Sequence, residues 1–222
     1  MNNNIENEND LQSAFADVRR AYRLIYQLQS RLKDLVSYIK SQTRFCESTD
    51  SGGCWRFCGN TTRHVISQYT DLRIDNIEPW QALPGYVFEY YFTSFEENGL
   101  EMSIIQVCDD GYYTANKQNL SKEDILSFRS ADESNSYIIL VCGFAGGNWM
   151  YPDYETWMRN ILNNDDVDIK HNNDKNINDF LAKRYPMYRF STQDKTDNII
   201  REFANLVNEK LKVNILPSND DK

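Results

Sequence analysis

Two groups of side chains have the types and spacing that chemistry would need. Cys46, Cys54, Cys58 and His64 are separated by seven, three and five residues, and all four are ligand types suited to a tetrahedral zinc ion. No Cys-x-x-Cys knuckle accompanies them, and Trp55 and Phe57 stand between two of the cysteines. Cysteine often serves as a small buried apolar residue, so packing is the plainer reading, and neither a metal nor another cofactor is expected. The second group is Glu89, Asp109, Asp110 and Lys117. A metal-dependent hydrolase or nuclease needs carboxylates converging from neighbouring strands, with a lysine to steady the attacking water or the phosphate. The order of these residues fits. The acid-x-Lys pair expected on one strand is absent, and Asp109-Asp110-Gly111 also has the composition of an ordinary turn.

Other constellations are incomplete. The chain has two histidines, His64 and His171, and the second lies in an Asn-rich stretch that reads as solvated. Cys108 and Cys142 fall in predicted strands, where core thiols are commoner than nucleophiles. No Gly-x-Ser-x-Gly elbow occurs. Gly143-Phe144-Ala145-Gly146-Gly147 follows an apolar run but lacks the Gly-Lys-Ser/Thr ending of a phosphate loop.

The elements that must position these residues begin with residues 10–42. Apolar residues recur at Leu11, Phe15, Val18, Tyr22, Ile25, Leu28, Leu32, Leu35 and Ile39, in steps of three and four with one break in the alternation. No proline or glycine interrupts them, which predicts a helix roughly 50 Å long. Ala14, Ala21, Leu24 and Val36 widen the stripe, a pattern suited to burial in a bundle or against a sheet rather than to a narrow coiled-coil seam. Arg19, Arg20, Arg23 and Arg31 flank it, where a guanidinium can reach a carboxylate while its stem covers apolar surface.

Residues 86–95 are dense in aromatic and β-branched side chains and read as a strand. Asn98-Gly99 is a hairpin signal, and residues 100–108 form the return strand, with Leu100, Met102 and Ile104 on one face and Glu101 and Ser103 on the other. A third short strand is expected over 112–115, a short helix from Ser121, and a central strand covered on both faces over 136–144. Beyond it come a helix after Asp153, a loop over 163–176, a short helix over 177–185 stopped by Pro186, and a last helix capped by Ser191. Tyr86, Phe88, Tyr90 and Phe92 share a face that is expected to be core under the long helix. The expected fold class is therefore α+β: a long N-terminal amphipathic helix (10–42) packed on an antiparallel meander of three to five strands (about 86–144), with C-terminal helices (about 153–212). One domain is expected over 10–216, after a polar leader (1–9) and before a polar tail (217–222).

The formal net charge is −9. Residues 10–44 carry seven basic and three acidic side chains, or +4, which leaves −13 for the remainder. A polyanion is repelled by such a body, so nucleic acid is a disfavoured partner. The basic helix is suited instead to carboxylates of its own fold, of a second copy or of a protein partner, with Arg19, Arg20, Arg23 and Arg31 as the contact group. No stretch approaches the ~18 apolar residues of a membrane span. Five cysteines in a long chain point to reduced thiols in a cytoplasmic protein. Together these features point to a non-enzymatic interaction or accessory subunit, using the helix and the aromatic sheet for self-association or partner binding; a metal-dependent hydrolase or nuclease on the sheet edge is the alternative.

Overall fold

The computed structural model describes residues 8–47, 55–57, 87–94, 99–116, 125–144, 154–164, 168–170 and 180–217. An uninterrupted helical stripe produces α1, Glu8–Ser41, whose 34 residues span about 51 Å. Two short strands follow, β1 (Phe45–Glu47) and β2 (Trp55–Phe57). The main sheet is built from β3 (Val87–Ser94), β4 (Leu100–Val107), β5 (Tyr137–Phe144) and β7 (Phe180–Pro186), with β6 (Asp168–Lys170) short at one edge. The order is β1-β3-β4-β5-β7-β6, and β2 also pairs with β3. Every pairing is antiparallel. Three further helices are α2 (Gly111–Thr114), α3 (Tyr154–Asn163) and α4 (Gln193–Leu211).

The α+β arrangement and the meander over β3, β4 and β5 are as the sequence implies. Gly99 has φ 83°, which the β3–β4 hairpin requires and which glycine adopts without strain. Strand alternation sends side chains to two faces, and both are covered. On one face Tyr90, Phe92, Leu100, Met102, Ile104, Ile138, Leu140, Cys142, Leu181 and Tyr185 meet α4 and the C-terminal turns of α1. On the other, Ile105, Val107, Ile139, Val141, Phe180 and Ala182 meet α2 and α3 through Tyr112, Tyr113, Trp157, Met158 and Ile161. The central strands therefore read as apolar runs without alternation. Tyr90 and Phe92 are core beneath α1, as expected.

Four expectations are corrected. Residues 112–115 form no strand. Asp109 Oδ1 accepts from Gly111 N (2.7 Å), Asp110 O accepts from Thr114 N, and the resulting turn of helix buries Tyr112 and Tyr113 together, whereas a strand would send them to opposite faces. Residues 177–185 are not a helix: 180–186 form β7, whose neighbours Phe180 and Leu181 are adjacent apolar residues because each serves a different core. That adjacency imitates helical spacing. The expected loop over 163–176 contains β6, which pairs with β7. At α4 the cap is Thr192 and not Ser191, its side chain accepting from Lys195 N at 3.4 Å. Residues 125–127 make a single 3₁₀ turn, and the start of the helix expected from Ser121 lies outside the described residues.

Candidate interaction site

The apolar stripe of α1 divides in two. Leu32, Val36 and Ile39 are 3, 4 and 0% exposed and belong to the core shared with α4 and the sheet. Each such burial contributes about 1.5–3 kcal/mol. Tyr38 OH donates to Asp197 Oδ1 of α4 at 2.6 Å, a bond that raises the Tyr38 pKa. N-terminal to this anchor the stripe is mostly exposed, with Ile25 half-buried. Phe15, Tyr22 and Tyr26 are 53, 62 and 75% exposed, and Leu11, Val18, Leu24 and Leu28 are exposed as well. The expectation of burial holds for the last third of the helix alone.

The transition falls at a polar group. Gln106, on β4, is fully buried; its Nε2 donates to Gln29 Oε1 (3.3 Å) and to Cys108 Sγ (3.2 Å), and its Oε1 accepts from Tyr90 OH (3.1 Å). Burial pushes the Cys108 thiol up to about 11 and the Tyr90 hydroxyl up to about 12, so both are neutral partners of the amide at neutral pH. Gln29 is half-buried, and on its N-terminal side α1 extends past the described parts of the body as a 21-residue overhang, residues 8–28, about 31 Å long.

The four arginines singled out in the sequence lie on or next to this overhang. Arg20 Nη1 pairs with Asp17 Oδ1 at 2.6 Å within the same helix, both side chains being largely exposed. Among the described residues Arg19, Arg23 and Arg31 meet no carboxylate of the same fold. All four are solvent-exposed.

The carboxylates considered for catalysis are not gathered. Glu89 is buried on β3 and accepts from Ser103 Oγ at 2.6 Å. Its Cα faces Ile105, four residues before Asp109, roughly 13 Å along a strand. Asp109 closes the turn at Gly111. Asp110 exchanges hydrogen bonds with Asn135: its Oδ1 accepts from Asn135 N (2.8 Å) and its own N–H donates to Asn135 O (3.0 Å). Burial raises the Asp110 pKa, with the Asn135 bond opposing it. Lys117 lies outside the described residues, as do Cys54, Cys58 and His64; Cys46 is placed by its backbone, in register with Thr93. Among the described residues no three His, Cys, Asp or Glu side chains are grouped to hold a metal ion. No helix among them is long and apolar enough to cross a membrane.

Sequence reasoning located the stripe and its arginines but missed the boundary at Gln29. The signal was present: taking Gln29 and Val36 in place of Leu28 and Leu35 restores the alternation of four and three from Leu11 to Ile39, with one polar residue in the seam.

A family model described as PM0109 matches residues 8–212, from the first residue of α1 to the end of α4. No curated protein and no solved structure matches the chain.

Proposed function

The chain belongs to the PM0109 family, and we propose that it works as a non-enzymatic interaction subunit of the cytoplasm whose contact element is the α1 overhang. The observation that carries this reading is the exposed apolar stripe: seven of the ten large exposed hydrophobic side chains among the described residues lie between Leu11 and Leu28. Contiguous apolar patches above a few hundred Å² are uncommon on surfaces that meet only water. The family match starts where α1 starts, so the overhang belongs to the matched unit. Within the aromatic face of β3, Tyr90 and Phe92 are covered, which favours the helix as the contact element. The cytoplasmic setting is supported by Cys108 and Cys142, which are thiols rather than disulfides.

A photo-crosslinking residue placed at Tyr22, with the same residue at exposed Tyr188 as the control, tests the reading in living cells. A protein adduct at Tyr22 and none at Tyr188 is expected. Equal labelling at both sites, or none at Tyr22, would remove the overhang as the contact element.

A further inference from the structure

We infer that the overhang of α1 pairs with the overhang of a second copy, antiparallel about a twofold axis near Val18; this rests on the reading of α1 as the contact element. Three observations converge on this occupant. The first is apolar complementarity. Ile125, Leu126 and Tyr188 are the exposed large hydrophobics off α1, and they form no stripe of matching length, so among the described residues the overhang's apolar counterpart is another overhang. The exposed part of Leu11, Phe15, Val18, Tyr22, Tyr26 and Leu28 is roughly 600 Å² per copy, before the arginine stems are added. A standard interface buries about 800 Å² per partner.

The second is charge along the helix. Residues 8–17 contain Glu8, Asp10 and Asp17 and no basic side chain; residues 18–33 contain Arg19, Arg20, Arg23, Arg31 and Lys33 and no acidic one. The sign therefore changes at Val18, which is also the midpoint of the overhang 8–28. Turning one helix end for end places each acidic segment on the other's basic segment. A parallel pair would place like on like.

The third is the body. Residues 45–222 carry 17 basic and 28 acidic side chains, a charge of −11. A parallel pair would bring two such bodies to the same end of the coil, whereas the antiparallel pair separates them to opposite ends. A twofold contact is also closed, leaving no stripe free for a third copy.

Sedimentation equilibrium of the full chain at 1–50 µM should show twice the 26.1 kDa chain mass, with dissociation favoured by high salt. Val18→Glu with Tyr22→Glu should give a monomer with unchanged thermal unfolding of the body. Orientation is read from charge reversal. Glu8→Lys, Asp10→Lys and Asp17→Lys together should weaken the dimer about tenfold or more. Adding Arg19→Glu, Arg20→Glu and Arg23→Glu to the same chain should restore it, because the two halves of the overhang have then exchanged sign. A dimer that survives the Val18/Tyr22 pair, or one that is not restored by the second reversal, overturns the inference. A wild-type monomer at 50 µM overturns it too. If Tyr22 then still crosslinks to a different protein, the overhang remains the contact element and self-pairing alone is lost; if it crosslinks to nothing, both fall.

Discussion

Ile39 and Phe15 lie on the same apolar stripe of the same helix, and their replacement by alanine should have very different consequences for stability. Ile39 is fully buried between the sheet and α4, in contact with the largest core of the molecule. Ile39→Ala removes three carbon atoms from a site that the surrounding strands cannot collapse to fill, which costs about 2–5 kcal/mol. For a chain of this length each kcal/mol shifts Tm by about 2–4 °C, so a fall of roughly 5–20 °C follows. Phe15 is 53% exposed and belongs to neither core of buried residues. At about 1 µM, where association is weakest, Phe15→Ala should stay within about 0.5 kcal/mol of the parent, a change of no more than ~2 °C. Differential scanning fluorimetry at several concentrations separates the two effects. Ile39→Ala should lower Tm at every concentration; Phe15→Ala should abolish only the rise in Tm with concentration that mass action gives an associating chain. If Phe15→Ala lowers the Tm of the dilute protein as much as Ile39→Ala does, the overhang is packed on the body and its reading as a free contact element is refuted.

Gly111→Ala should destabilise by about 1–3 kcal/mol in urea titration, because an added Cβ would sit 2.9 Å from Asp109 Oδ1 and Ser134 Oγ and 3.0 Å from the Arg129 backbone oxygen, which cannot swing away. Lys212 closes α4 in the left-handed region at φ 61°, so Lys212→Gly should raise the urea midpoint by the equivalent of about 0.5–1 kcal/mol; an unchanged or lower midpoint would show that the Lys212 side chain matters more than its backbone. Burial alone would raise the Glu202 pKa, but the hydrogen bond and charge of Lys183 (2.5 Å) with the help of Arg189 bring it below the ordinary carboxylate range. Its contribution is thus present above the unfolded value of about 4.3 and is lost as pH falls through the lower folded value. Glu202→Gln should flatten that part of the stability–pH curve, and a curve with the parent's slope below about pH 4.5 would show that the ion pair is inert.

Much of the architecture was legible locally. The helical stripe of α1, the aromatic density of β3, the Asn98-Gly99 turn and the apolar run of β5 each follow from side-chain period and turn chemistry, which act within one or two turns of chain. The segments that misled are those whose local pattern is the product of distant partners. The apolar pair Phe180-Leu181 arises because β7 is covered by different helices on its two faces, and nothing within residues 177–186 distinguishes that from a helix face. Tyr112 and Tyr113 have strand-forming side chains, yet the pairing of Asp110 with Asn135, 25 residues away, draws the chain into a helical turn.

The candidate site divides in the same way. Periodicity determined that residues 10–42, to within two residues at either end, form one amphipathic helix, and residue order determined that its charge reverses at Val18. Where the stripe stops being core and becomes surface was decided by the reach of the body. The sheet and α4 cover α1 only as far as Leu32, and Gln106 of β4 meets Gln29 at that limit. An apolar stripe has the same spacing whether it is buried or bare, so its fate depends on what other parts of the chain bring against it. The separation of Glu89 from Asp110 has the same origin. Both are acids beside a hairpin in the sequence, but the β3–β4 register commits one to Ser103, while the crossing to β5 commits the other to Asn135.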